Sequence, residues 1–360
     1  MQYLKIWQWF AILALIFLCP LNSLAVEWKG DNWNVNLNGA LRVSYNDDDI
    51  DTETDTNESN KYLSGNISHF QFTGSRTLKM GINGIFKTEW GLNPTDTGKT
   101  VDGEKDKSSL TDLDQYLGLE GGFGMLRVGT MMTPYMQTGV MMDPYRRDAL
   151  DARFFPQIQS ALHFGTAKGR GRTTNSIRYD SPISDQGMAA QFFYGIDQSP
   201  DNDNSFGTGF SYNSQYMSLF AQWYDNNESG KDKAYKFGGE IKGGGAALFG
   251  QYEFDDGLIS MADNLAPADT TVDSNTTYGA DTWHAGLKYT NGKILVIGQY
   301  GQRQDSKNGE NLKDGLTGWL MGLSVYLGDT FYLYTGYAQR DFNDDRGSDS
   351  RFTLGGTLTF

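Results

Sequence analysis

Apolar and polar side chains alternate along most of this chain, in short stretches with a period of two residues. In the first stretch Val35 and Leu37 share one face, while Asn34 and Asn36 share the other. A period of two is that of a β-strand with one apolar and one polar face. The pattern therefore predicts sixteen strands, near residues 33–45, 61–74, 79–91, 112–121, 124–131, 172–182, 186–197, 205–213, 216–225, 233–242, 245–254, 280–290, 293–303, 316–327, 330–341 and 350–360.

The connections between these strands alternate in length. Tight turns are predicted at Gly74–Thr77, Gly121–Gly124, Ser184–Gln186, Asn213–Ser214, Gly243–Gly244, Asn291–Gly292 and Gly328–Asp329. Longer, charged segments lie between them, including an acidic loop at 46–60 and a very long segment near 132–171. Short turns on one side and long loops on the other are typical of an outer-membrane barrel. We therefore expect an all-β fold, a closed transmembrane antiparallel β-barrel of sixteen strands with apolar faces toward lipid and polar faces toward a wet lumen.

Composition and charge narrow the class of protein further. The chain has 44 Gly, 21 Phe, 20 Tyr and 8 Trp, a bias that suits strands and tight turns. Its formal net charge of −14 makes nucleic acid an unlikely partner. Residues 1–25 have one charge, Lys5, then a short apolar run and small residues before Ala25. This is the pattern of a cleaved signal peptide, which leaves residues 26–360 as a single barrel domain without cysteine.

Four stretches resemble the general trimeric porins of Gram-negative bacterial outer membranes. "SHFQFTGS" (68–75) and "GIFKTEW" (84–90) are similar to that family's second and third strands, and "DQYLGLEGGFGMLRVGT" (114–130) to its fourth and fifth. "NSIRYDSPISDQGMAAQFFYG" (175–195) is similar to its sixth and seventh strands, and the terminal Phe360 matches the end shown to the barrel-assembly machinery. The likeness touches much of the N-terminal half, whereas the C-terminal half matches in pattern alone.

The resemblance implies a homotrimer in the outer membrane, in contact with lipid and lipopolysaccharide, with its third loop folded into the barrel. That loop would be the segment 132–171. The implied function is passive diffusion of small hydrophilic solutes and ions through a water-filled channel, with no enzyme activity and no cofactor.

Channel selectivity depends on the width of the constriction and on the charges that line it. Alternation with the apolar register gives the candidate pore-wall residues Arg42, His69, Lys87, Arg127, Arg178 and Arg351. The candidate constriction-loop residues are Asp143, Arg146, Arg147, Asp148, Asp151 and Arg153. Wall cations opposite loop carboxylates would set a transverse field, although each charge could equally be a solvated lumen residue. Because the first and last strands are neighbours in a closed barrel, Arg42 and Arg351 are expected to lie close together.

Departures from the family bear on ion preference. The porins commonly have Arg where His69 stands, near Leu113 and at Thr130. With part of that basic ladder missing and an acidic chain overall, we expect a weak preference for cations.

Other functions stay open at this point. A substrate-specific channel, for example for sugars, is the main alternative, because Tyr332, Tyr334, Phe220 and Tyr224 are inward aromatic candidates. A barrel enzyme needs a His beside a nucleophile, and the three His lie in no such motif. His163 and His284 are too isolated for a metal site. The acidic loop 46–60 could bind divalent cations that bridge lipopolysaccharide, but its spacing fits a calcium loop poorly, so we favour a solvated outer loop.

Overall fold

The computed structural model describes residues 26–50, 58–95, 100–101, 104–105, 110–153, 155–159, 171–196, 204–225, 233–256, 279–307, 313–343 and 347–360. The signal-peptide prediction for residues 1–25 and the interpretation of His163 lie outside these residues. The strands are β1 (Val26–Lys29), β2 (Trp33–Ile50), β3 (Glu58–Ser64), β4 (His69–Thr77), β5 (Asn83–Leu92), β6 (Thr100–Val101), β7 (Glu104–Lys105), β8 (Leu110–Gly121), β9 (Gly124–Met132), β10 (Arg172–Asp180), β11 (Met188–Gly195), β12 (Ser205–Asn213), β13 (Met217–Asp225), β14 (Lys233–Gly243), β15 (Ala246–Asp255), β16 (Thr282–Thr290), β17 (Ile294–Arg303), β18 (Leu316–Tyr326), β19 (Phe331–Phe342) and β20 (Ser348–Thr359). One α-helix, α1 (Pro134–Met142), follows β9.

All strands except the small hairpin β6–β7 belong to one antiparallel sheet that closes on itself. Closure is made by β2 and β20, whose register pairs Ala40 with Thr359 and Asp49 with Ser350. Both β3 and β4 pair with the other edge of β2, so they form one interrupted wall strand. The short β1 pairs with the start of β2, beyond the end of β20. The barrel wall is therefore sixteen strands wide, as predicted. The structure's described part has no helix long and apolar enough to cross a membrane.

The two faces of the wall differ in chemistry. Large apolar side chains such as Leu117, Phe237 and Leu323 are exposed on the outside. Their strand neighbours point inward and include many buried polar groups, among them Lys236 and Gln222. Because the sheet is closed, the backbone N–H and C=O groups of every wall strand can pair with a neighbouring strand, which matters where lipid offers no hydrogen-bond partner.

The predicted strands agree with the observed ones apart from three corrections. The segment 46–60 was expected to be a loop, but β2 continues to Ile50 and β3 begins at Glu58. The stretch 61–74 is broken at residues 65–68, where Ser68 donates to the carbonyl of Gly65. The turn expected at Gly74–Thr77 lies further on, where Leu78 and Ile82 flank a 3-10 turn at Lys79–Gly81.

Candidate functional site: the constriction loop and the pore wall

The segment between β9 and β10 folds into the lumen, and its start is fixed by a helix cap. Thr133 is the N-cap of α1, where its hydroxyl accepts the N–H of Met136 at 3.1 Å, and Pro134 occupies the first helical turn. Both features favour helix initiation. The backbone N–H of Thr133 also donates to the carbonyl of Gly171 at 2.6 Å, which joins the two ends of the loop.

Two apolar clusters inside the barrel hold the loop against the wall. In the first, Tyr135 of α1 packs with Met131 at the end of β9 and with Phe193, Tyr224 and Ala234 of the wall. The second cluster joins loop residues to strands β15 and β17–β19 and consists of Tyr145, Leu150, Phe155, Phe249, Ile297, Leu320, Tyr334 and Ala338. The apolar side chains of the wall therefore cover the apolar side chains of the loop and remove them from water.

The inward aromatic residues that suggested a sugar channel belong to these contacts. Tyr224 and Tyr334 are buried in the two clusters, and Phe220 is buried nearby. The hydroxyl of Tyr332 donates to Asp148 at 2.9 Å. The rings of Tyr224 and Tyr334 are turned toward the loop, whereas Phe220 lines the cavity beside α1, so these residues do not form a continuous open aromatic surface for sugar rings.

Asp148 is the main polar anchor of the loop. Its carboxylate accepts from the hydroxyl of Tyr332 and from that of Thr357 at 3.3 Å, and it lies 3.4 Å from Nε of Arg42. Burial raises the pKa of Asp148 to about 6, although Arg42 and the hydroxyl donors oppose the rise. One residue on, the carbonyl of Ala149 accepts from Arg351 at 3.1 Å.

The other two loop carboxylates hold the loop's own backbone. Asp143 accepts from the N–H groups of Tyr145 at 2.9 Å and Ala152 at 2.7 Å. Asp151 accepts from the N–H of Arg147 at 2.9 Å and from Nε of Arg153 at 2.7 Å. Burial, reinforced by Asp151, raises the pKa of Asp143 well above its usual range.

The basic loop residues point in different directions. Arg147 reaches the wall, where its guanidinium donates to Glu89 at 3.0 Å. Arg153 is buried beside Asp151, whereas Arg146 is exposed toward the lumen. The sequence offered no periodicity in this segment from which these directions could be read.

The pore-wall candidates all contact other lumen groups, and most are paired with carboxylates. Lys87 lies 2.7 Å from Glu89 and 3.3 Å from Asp114. Asp180 pairs with Arg127 and with Arg178, the latter at 2.7 Å. His69 lies 3.2 Å from a guanidinium nitrogen of Arg42. Arg351 pairs with Asp48 at 2.7 Å.

Two details of the predicted site need correction. Arg42 stands opposite Thr357, while Arg351 stands opposite Asp48, so the two arginines are offset by six residues along the strands rather than adjacent. The loop carboxylates Asp143, Asp148 and Asp151 are buried, which leaves little of their charge facing the lumen.

The wall carboxylates that complete the site were missed in the sequence. Glu89 and Asp180 each lie two residues after a candidate cation, Lys87 or Arg178, and so share its inward face. A third wall acid, Asp114, accepts a hydrogen bond from Nε of Arg172 at 2.7 Å. The same alternation that selected the cations would have selected these acids.

Open space remains between the loop and the wall. A cavity of about 440 Å³ lies beside α1 and is lined by Gln137, Arg178, Asp180, Gln191 and Gln222, among others. A larger cavity of about 870 Å³ lies toward the short-turn end. Met141, Glu240 and Lys242 line both, so the two cavities adjoin. Within the described ranges, no group of three or more His, Cys, Asp or Glu could hold a metal ion.

A closed sixteen-strand barrel with an apolar exterior, a polar interior and a loop folded inside defines a transmembrane barrel of the porin type. The sequence matches the Gram-negative porin family over residues 11–346. The chain belongs to this family and is an outer-membrane protein.

Sequence relatives match over part of their length. The major outer membrane protein P.IB of Neisseria sicca is 29% identical over 137 residues, which are 38% of this chain and 33% of that protein. The protein of the same name from Neisseria gonorrhoeae is 26% identical over 156 residues, or 43% of this chain and 40% of that one. The chain therefore matches less than half the length of these relatives.

Solved structures match over nearly the whole barrel. The anion-selective porin from Comamonas acidovorans has a TM-score of 0.71 at 17% identity and covers 91% of this chain and 100% of its own. OmpF of Salmonella typhi, in complex with daunomycin, has a TM-score of 0.71 at 14% identity, with 93% and 100% covered. At these identities the likeness shows the fold.

Proposed function

We propose that this protein is a channel for passive diffusion of small hydrophilic solutes and ions across the outer membrane. The observation that carries the proposal is the loop held across the lumen with polar, open space left beside it. The loop narrows the barrel without filling it, and the open space is lined by charged and amide side chains. Such a pore sorts solutes by size and charge and needs no bond chemistry.

The proposed ion preference is weak and favours cations. The sequence 46–60 is acidic, and its described residue Asp49 is exposed on the outer face of the wall at the long-loop end, so this end is proposed to concentrate cations. Inside the lumen, most wall cations are paired with wall or loop carboxylates, so their fields largely cancel. Asp180 and Glu240 line the open cavities, and each is paired with a neighbouring cation, Asp180 with Arg178 and Glu240 with Lys288.

The proposed partners follow from the family. We propose a homotrimer embedded in lipid and lipopolysaccharide, inserted by the barrel-assembly machinery through the strand that ends at Phe360. The main chain of Phe360 is already paired with Gly39 across the barrel closure, at 2.8 and 3.0 Å. The terminal residue therefore completes the wall as well as serving as the proposed recognition signal.

Single-channel recording in a planar bilayer tests the proposal. We expect large conductance steps in groups of three, ohmic near 1 M salt, and a small reversal potential of the cation-selective sign across a potassium chloride gradient. Absence of current would contradict the channel, and a chloride-selective potential would contradict the ion preference. A sharp fall of current with one sugar would favour the substrate-specific alternative, against which the burial of Tyr224 and Tyr334 argues.

A further inference from the structure

The larger cavity, at the short-turn end of the lumen, combines unpaired cations with apolar surface. We call it the vestibule and define it by Met141 and Arg146 of the loop and by Lys242, Lys288, Leu295 and Tyr326 of the wall. Its volume of about 870 Å³ lies within the range of roughly 300–1,000 Å³ that is usual for small-molecule sites.

The charge of the vestibule is not balanced by its own residues. Lys288 pairs with Glu240 at 3.0 Å. Arg146 and Lys242 are exposed, and in the described portion of the chain no carboxylate lies within 4.0 Å of either. Asp143 also lines the cavity, but its carboxylate is buried and occupied by two backbone N–H groups. Two cations, one on the loop and one on the wall, are thus left facing water.

The apolar part of the vestibule lies beside these cations. Met141 is 58% exposed, although it sits inside the barrel and not on the lipid face. Leu295 packs at the edge of the buried cluster that holds the loop, and Tyr326 adds an aromatic surface. A thioether makes favourable contacts with aromatic rings, and a guanidinium binds a carboxylate through two parallel hydrogen bonds.

We propose that the vestibule is a binding site for small aromatic carboxylates. The carboxylate would lie between Arg146 and Lys242, and the ring would lie against Met141 and Tyr326. The inference rests on the proposed channel function, because solutes reach the vestibule through the lumen. It adds a local preference for one class of anion to a pore whose overall ion preference is weak.

The test uses the full-length trimer in a planar bilayer, with three probes added to the short-turn side. Benzoate carries both features of the proposed ligand, benzyl alcohol keeps the ring without the charge, and acetate keeps the charge without the ring. We expect benzoate to cause concentration-dependent interruptions of an otherwise open current. Benzyl alcohol and acetate should have little effect at the same concentration.

Variants separate the two parts of the site. Arg146→Gln and Lys242→Gln should each raise the half-blocking concentration of benzoate about tenfold, the fold-change expected for one charge-assisted hydrogen bond. Met141→Gln should weaken the block of the current by benzoate and leave the small effect of acetate unchanged. Lys293→Gln is the matched control, because Lys293 is exposed at the same end of the barrel but does not line the vestibule.

The outcomes distinguish this site from the channel itself. An open channel that benzoate does not interrupt, or one that responds equally to Arg146→Gln and Lys293→Gln, would overturn the inference and leave the channel intact. Equal block by acetate or by benzyl alcohol would overturn the ligand class. A preparation with no conductance at all would instead count against the proposed function.

Discussion

At the scale of single residues, the loop depends on one buried carboxylate. Asp148 receives two hydroxyl donors and faces Arg42, so Asp148→Ala leaves a buried cation and two hydroxyls without their partner. Removing one member of a buried pair costs about 3–5 kcal/mol. We expect a lower thermal transition and a noisier open-channel current. The matched control is Asp47→Asn, which removes a half-exposed carboxylate 3.5 Å from Lys61 and should change stability by less than about 1 kcal/mol.

The protonation of Asp148 predicts that the stability of the protein increases as the pH falls toward 5. Its pKa is raised to about 6 in the folded protein, so the folded state binds the proton more tightly than the unfolded chain does. The stability contribution is therefore complete below the unfolded pKa of about 4 and is lost as the pH rises through 6.

The measurement for this prediction is thermal unfolding of the wild type and of Asp148→Asn between pH 7 and pH 5. Over that interval the wild type should gain about 1 kcal/mol relative to the variant, which cannot titrate at this position. Parallel pH profiles for the two proteins would contradict the assignment of the titrating group to Asp148.

At the scale of elements, glycines in the wall make the groove that receives the loop. A Cβ at Gly336 would clash with Cδ1 of Leu150 and meet the backbone carbonyl of Met321 at 2.7 Å, and one at Gly322 would clash with the hydroxyl of Tyr145. Gly336→Ala should therefore push the loop toward the open lumen and lower single-channel conductance, with a stability cost of about 1–3 kcal/mol. Gly298→Ala is the control, since nothing lies within 4 Å of its added carbon. Equal conductance in both variants would show that the loop does not depend on this contact.

The wall was predictable from sequence because alternation is a strong local signal, and the errors have a physical cause. Gly74 suggested a turn, yet it lies in β4 where the ring of Phe86 occupies the space of a side chain. The glycine is there for cross-strand packing and not for a turn. The loop was predictable in position but not in orientation. Asp143, Asp148 and Asp151 follow no period, and their directions depend on distant partners such as Arg42 and Tyr332.

At the scale of the whole molecule, cations without a carboxylate partner face the lumen near one end of the pore. Near the short-turn end, Arg146 and Lys242 have no carboxylate within 4.0 Å among the described residues. At the long-loop end, the described part of the acidic sequence 46–60 includes Asp49, which is exposed on the outer face of the wall. Fixed charge at a mouth concentrates its counter-ion there, and the effect is screened by salt. An uneven distribution of fixed charge along the pore should make the current depend on its direction, while the overall ion preference stays small.

We therefore expect the current through oriented channels to rectify at low salt and to become symmetrical near 1 M salt, where the screening length falls to about 3 Å. The double variant Asp47→Asn/Asp49→Asn removes negative charge from the outer rim of the long-loop end and should slightly reduce both the cation preference and the rectification. Arg146→Gln/Lys242→Gln should instead strengthen the cation preference, because it removes positive charge from the other mouth, and Lys293→Gln should do so less. The current–voltage curve of each variant, recorded at the same low salt, provides the measurement. A wild-type current that is symmetrical at every salt concentration would contradict an uneven distribution of fixed charge along the pore.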